Sequence, residues 1–168
     1  MRSLSLTVLI DSREQTPLLF PGGVTTERAT LKTGDYSVLA DGVDMRDVVG
    51  IERKSVSDLL GCIGGQRDRF ERELARLAQF HYRALVIEGT LADLVAATAG
   101  RQLTASQVMG SVLAWTFKYS VAPIFAGNRA LAATTVATLL RHARYELASR
   151  TGCGIAGPAV EPEGRGLS

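Results

Sequence analysis

Acids recur through the first half of the chain at Asp11, Asp35, Glu52 and Asp58, and Lys54 stands two residues after Glu52. On a strand, residues two apart face the same side, so Glu52 and Lys54 project together. If neighbouring strands carry Asp11 and Asp35, several carboxylates and one ammonium gather at strand ends. Such acids repel one another unless something offsets their charge. A divalent cation does so, and Mg²⁺ prefers carboxylates, waters and phosphate oxygens. A cation there would polarise a phosphate and lower the pKa of its bound water. Lys54 would orient or help deprotonate that water, or stabilise charge on the attacked phosphate. The chemistry implied is phosphodiester hydrolysis by an Asp…Glu-x-Lys site. Each residue also has a plain structural reading. A Glu-x-Lys pair on a strand is commonly a solvated pair worth ~0–1 kcal/mol. Asp58 would sit at a helix terminus, Asp11 could close an Asx turn, and Glu88 could be a loop acid.

The elements that must position these residues follow from periodicity and turn chemistry. Residues 5–10 read as a buried strand, 25–31 and 36–39 as two more, and 48–54 as the strand carrying Glu52 and Lys54. Asp41-Gly42 makes a hairpin-like turn. Ser55 caps a helix to about Ile63, and Gly64-Gly65 breaks it. A helix from Gln66 to about His81 puts Phe70, Leu74, Leu77 and Phe80 on one face, with Arg67–Glu71 and Arg69–Glu73 paired at i,i+4. Residues 83–88 form a strand, 91–99 a short helix, and 105–119 a helix capped by Thr104 and Gln107. Pro123 confines a strand over 121–126 to the sheet edge. Asn128 caps a last helix to about Ser149, and the Gly/Pro-rich segment 151–168 reads as a loose tail after a domain spanning 1–150. A β-rich start followed by alternating helices and strands predicts an α/β fold on a mixed central sheet flanked by helices.

Composition narrows the class. Of 168 residues, 46% are hydrophobic and 21% charged, which fits a globular domain rather than disorder. No apolar run reaches the ~18 residues of a membrane span, and the N-terminus lacks signal-peptide features. A soluble cytoplasmic protein is expected. Two cysteines and two histidines, none in zinc-ligand spacing, argue against structural zinc and exclude a multi-bridge disulfide framework. Sixteen arginines against three lysines suit phosphate partners, although a GC-rich coding bias produces the same excess.

The segments Ile10-Asp11-Ser12-Arg13-Glu14, Lys32-Thr33-Gly34-Asp35-Tyr36 and Ile51-Glu52-Arg53-Lys54-Ser55-Val56-Ser57-Asp58-Leu59 resemble the nuclease domain of XPF-type (Hef-like) structure-specific endonucleases. Arg67-Asp68-Arg69-Phe70-Glu71-Arg72 and Leu85-Val86-Ile87-Glu88-Gly89 extend the likeness, which covers about residues 6–145. The resemblance implies a restriction-endonuclease-like fold. It implies Asp35 and Glu52 as principal metal ligands, joined by Asp11, with Lys54 as the catalytic lysine and Asp58 as a further essential acid. Glu14 would be a weaker member of the set, with Arg13 and Arg53 in support or at DNA. It further implies Mg²⁺ or Mn²⁺, cleavage of one strand of branched, flap or fork DNA near a duplex–single-strand junction, and a homodimer. Larger members carry tandem helix-hairpin-helix modules after the nuclease domain, on which tight, structure-selective binding usually leans; here a Gly/Pro-rich tail is expected in their place. Its compact form is similar to phage, prophage-borne and bacterial versions, in repair or recombination.

Arg67, Arg69, Arg72 and Arg76 on the second helix are candidates for phosphate contact, against a solvated face of i,i+4 pairs. Trp115, Phe117, Tyr119, Leu131, Val136 and Leu139 suit a core, with part available to a symmetric dimer. The rival from another class is an inactive scaffold that binds DNA junctions or a nuclease partner. Against it, Asp11, Asp35, Glu52, Lys54 and Asp58 are all present. RNA or a nucleotide as substrate is a third possibility.

Overall fold

Val8, Leu9 and Ile10 are all buried, so both faces of their strand are covered and it lies inside a sheet. This is β1 (Leu6–Asp11) of the computed structural model, which describes residues 6–150. Ser5 and the expected tail at 151–168 lie outside the described residues. The other strands are β2 (Thr25–Ala29), β3 (Tyr36–Ala40), β4 (Val43–Asp44), β5 (Val49–Ser55), β6 (Tyr82–Glu88) and β7 (Pro123–Phe125). They form one mixed sheet in the order β2-β1-β3-β5-β6-β7, with β4 paired to β3. β1 runs parallel to β2 and antiparallel to β3; β3 and β5 are antiparallel; β5, β6 and β7 are parallel.

The helices are α1 (Val56–Ile63), α2 (Arg67–Leu77), α3 (Leu91–Ala96), α4 (Ala105–Tyr119) and α5 (Arg129–Arg150). Leu85 and Ile87 of β6 pack with Leu59, Phe70, Leu74, Val108 and Trp115, so α1, α2 and α4 share one face of the sheet. Val86 points the other way, into a core with Val136 and Leu140 of α5. Strand alternation thus assigns each residue of β5 and β6 to one of two layers.

Expected and observed elements agree closely, with local differences. The Asp41-Gly42 turn has positive φ at both residues and closes onto the short β4 before the chain turns into β5. Helix α2 stops at Leu77, where the chain tightens through Phe80 N donating to Leu77 O, and Arg83 holds the Phe80 carbonyl at 2.7 Å. Helix α3 ends at Ala96 in a run of turns. β7 is the edge strand that Pro123 calls for. Among the described residues, no helix is long and apolar enough to cross a membrane.

Candidate active site

The Gly34-Asp35 turn joins two strands. Gly34 has φ +80°, and a Cβ there would lie 3.1 Å from the Ile51 carbonyl oxygen, so glycine serves both the conformation and the close approach. Asp35 N then donates to Ile51 O at 2.8 Å, and Asp35 O accepts from Asp11 N at 2.9 Å. The Asp35 backbone is thereby tied to both β1 and β5. Its carboxylate accepts from Arg53 N at 2.8 Å, which turns it toward β5. On β5, Glu52 and Lys54 pair in register with Leu85 and Ile87, so both face the layer of α1 and α2. The Lys54 ammonium donates to Glu52 and lies 5.3 Å from the Phe70 ring centre.

Burial sets the electrostatics. Glu52 is only 7% exposed. Desolvation, with the charge of Glu52 second, pushes Asp35 up to about 7. Burial likewise raises Glu52 above the ordinary carboxylate range, against the pull of Lys54. Burial works against the Lys54 charge, but Glu52 outweighs it and holds the ammonium protonated. The half-buried Asp35 and buried Glu52 carboxylates, strained by desolvation and neighbouring charge, are compensated by a single ammonium.

Two cavities meet at this point. One of about 220 Å³ is bordered by Asp11, Asp35, Glu52 and Lys54, with Arg13 and Arg76 among its cations. Another of about 410 Å³ is bordered by Asp35 and Lys54 together with Glu14, Asp58 and Gln66. Arg69 and Glu73 line both.

The remaining expected residues fall into distinct places. Asp11 borders the smaller cavity, but its carboxylate is already occupied: Arg13 Nε donates at 2.6 Å and Leu31 N at 2.8 Å. Burial would raise the Asp11 pKa, yet the bonds from Arg13 and Leu31 leave it lowered. Asp58 lies at the start of α1, where Asp58 N donates to the Ser55 hydroxyl, and its side chain borders the larger cavity. Arg53 faces the opposite side of β5 from Glu52. Its guanidinium is buried against Glu14 at 2.9 Å and Glu88 at 2.6 Å, a supporting position rather than an exposed DNA contact. Arg69 lines the cavities, as does Arg76 for the smaller one. Arg67 is placed differently from Arg69 and Arg76. It donates to Glu71 and to Ser111 of α4 and stacks 5.5 Å from Trp115, turned away from both cavities.

Three neighbours escaped the sequence reading. Glu73 read only as the partner of Arg69. Glu88 read as a loop acid, yet it receives Arg53 and Arg129 together. Arg129 also donates to the carbonyls of Thr16 and Pro17, joining α5 to the loop after β1. The position of Glu88 at the carboxyl end of β6, next to a parallel β5, was the available signal.

Among the described residues, no three His, Cys, Asp or Glu side chains form a ready metal cage. The donor set nevertheless fits a hard cation of the Mg²⁺ type. Asp35 and Glu52 border one groove, and Mg²⁺ takes one or two carboxylates while water and phosphate oxygens fill its octahedron.

A mixed sheet flanked by helices, with acids and a lysine converging at strand ends, defines a restriction-endonuclease-like fold. Residues 10–139 match the ERCC4 domain, and the chain belongs to that family. Among solved structures it is similar to XPF from Aeropyrum pernix, with 22% identity and a TM-score of 0.63, covering 96% of this chain and 70% of that one. It is also similar to XPF from Aeropyrum pernix in complex with DNA, again at 22% and 0.63, covering 83% of this chain and 66% of that one. At this identity the likeness establishes the fold. Among curated proteins no sequence matches.

Proposed function

We propose that this chain is a divalent-metal-dependent endonuclease that hydrolyses phosphodiester bonds in branched, flap or fork DNA, in repair or recombination. The observation that carries the reading is the half-buried Asp35 and the buried Glu52 carboxylates at one groove with the Lys54 ammonium. Membership of the ERCC4 domain family supports a nuclease acting on DNA, and the DNA-bound relative supports DNA as the partner.

In this reading Asp35 and Glu52 would hold Mg²⁺ or Mn²⁺, whose chemistry is to polarise the phosphate and activate a bound water. The Arg53 amide orients the Asp35 carboxylate. Lys54 offers its ammonium to the phosphate oxygens as charge builds on them. Asp11, held by Arg13 and Leu31, fixes the end of β1 beside Asp35 and lends a third negative charge. Asp58 borders the groove from α1 and orients water or substrate there. Arg69 and Arg76 contact backbone phosphates, which sets position without reading sequence. The exposed Leu113 and Phe117, one turn apart on α4, favour a homodimer, and Phe117→Asp should convert it to monomer by light scattering.

Labelled flap, fork, Holliday, duplex and single-stranded DNA, incubated with the purified protein in Mg²⁺, Mn²⁺ or EDTA, tests the activity. Cutting of branched substrates that needs metal and disappears in Asp35→Asn and Lys54→Ala is expected. Metal-dependent binding without any cutting would instead favour the scaffold reading, and cutting that survives both substitutions would assign the chemistry elsewhere. The same panel in RNA form decides the sugar.

A further inference from the structure

The two cavities that meet at Asp35 and Lys54 differ in what they can hold. The smaller has five cations on its border against four acids; Arg13 is paired with Asp11 and Lys32 with Asp47, and Arg76, with no ion pair among the described residues, is left for a phosphodiester backbone. The larger has Glu14, Asp58 and Glu73 in its wall. Two of its three cations are already matched: Arg53 by Glu14 and Glu88, and Lys54 by Glu52. A backbone phosphate is repelled there, whereas a neutral ring is not. The Ser57 hydroxyl and Gln66 carboxamide border this cavity and, among the described residues, take no hydrogen-bond partner. Both groups donate and accept, as the edge of a base requires. Gly61 stands in the same wall on α1, and a Cβ built on it meets nothing within 4 Å, so the wall is open at that point. The volume of about 410 Å³ suits a small ligand. A base inside a duplex is stacked and paired and cannot enter; an unpaired base can be splayed into such a pocket.

We propose that the larger cavity is a subsite for one unpaired nucleobase next to the phosphate at Lys54, while the smaller cavity takes the backbone on the other side, against Arg76. The assignment rests on the reading of Asp35, Glu52 and Lys54 as a DNA nuclease, and it gives the site a sense: single strand toward α1, duplex toward Arg13 and Arg76.

The test uses the intact chain and a fork carrying 2-aminopurine at successive unpaired positions. Binding is followed in EDTA, so the readout does not depend on cutting. One position should change its fluorescence with the wild type. Gly61→Trp, which fills the cavity, should abolish that change, and Gln66→Ala, at an exposed position, should reduce it. With Mg²⁺, Gly61→Trp should slow cutting about tenfold, the scale of one lost base contact. An abasic residue at the sensitive position should then let Gly61→Trp cut as fast as the wild type cuts the same abasic fork. A fluorescence change that survives Gly61→Trp, or a rate deficit that persists on the abasic fork, overturns the proposal. If the wild type cuts nothing, the nuclease reading fails, and the fluorescence in EDTA still decides the subsite.

Discussion

Replacing Arg53 by Leu should cost more stability than any other single change around the site. The Arg53 side chain is 9% exposed, and its partners Glu14 and Glu88 are 7% and 10% exposed. Leucine removes the guanidinium, leaving Glu14 without an ion-pair partner where water reaches it poorly and Glu88 with Arg129 alone. Breaking a buried pair in this way costs about 3–5 kcal/mol, out of roughly 5–15 kcal/mol for a whole domain. The melting temperature should fall by about 6–20 °C, at roughly 2–4 °C per kcal/mol for a domain of this size. Urea unfolding is the assay, followed by the fluorescence of Trp115, which is buried in the native state. Acid gives the argument a second arm. Burial tends to raise Glu14, but the Thr16 amide and Arg53 hold it below its ordinary 4.5. A carboxylate so depressed contributes stability above the unfolded value, and that contribution fades as pH falls through the lower folded value. In Arg53→Leu, Glu14 loses its ion-pair partner and gains from protonation, so the gap to wild type should narrow between pH 7 and pH 4. A loss below about 1 kcal/mol at pH 7, or a gap that stays constant in acid, would refute the reasoning.

Other perturbations test separate parts of the account. Gly34→Ala forces a side chain into φ +80° and within 3.1 Å of the Ile51 carbonyl; a loss of about 1–3 kcal/mol in a thermal melt is expected, and an unchanged melt would mean the turn is not tied to β5. Glu71 is pushed down to about 2, chiefly by Lys118 and then by Trp115 and Tyr119. Its stabilisation is present above the ordinary 4.5 and is lost as pH falls toward 2, so Glu71→Gln should flatten the acid limb of the stability curve. Solvent screening keeps that effect at about 1 kcal/mol, and identical acid limbs would remove it. Arg76→Ala should weaken DNA binding and lower the salt slope by about 1. Arg67→Ala should leave the slope unchanged and lower the melting temperature, since Arg67 bonds Glu71 and Ser111 instead; the opposite pattern would exchange their roles.

What could be read from the chain before its fold was the local part. Strand alternation placed Glu52 and Lys54 on one face, and β5 obeys it because its apolar residues Val49 and Ile51 anchor the register. Turn chemistry at Gly34-Asp35 and Asp41-Gly42, and caps at Ser55, Thr104 and Asn128, marked element ends because each bonds within a few residues. The unread part is long-range. Arg53 reaches Glu14 and Glu88 across separations of 39 and 35 residues, and Arg129 reaches Thr16 across 113. No local period encodes those meetings. Helix α2 illustrates the boundary: its pattern identified the buried stripe of Phe70, Leu74 and Leu77, but not which arginines face the groove. That depends on where α4 packs, and Ser111 and Trp115 draw Arg67 away.

The central claim is that Asp35 and Glu52 share one divalent ion. Calorimetric titration of the wild type, Asp35→Asn and Glu52→Gln with Mn²⁺, each checked for folding by thermal melting, addresses it directly. One ion bound per wild-type chain is predicted, with affinity falling about tenfold or more in either variant, as expected when one of two carboxylate ligands is removed. Equal Mn²⁺ binding by all three folded proteins would contradict the account.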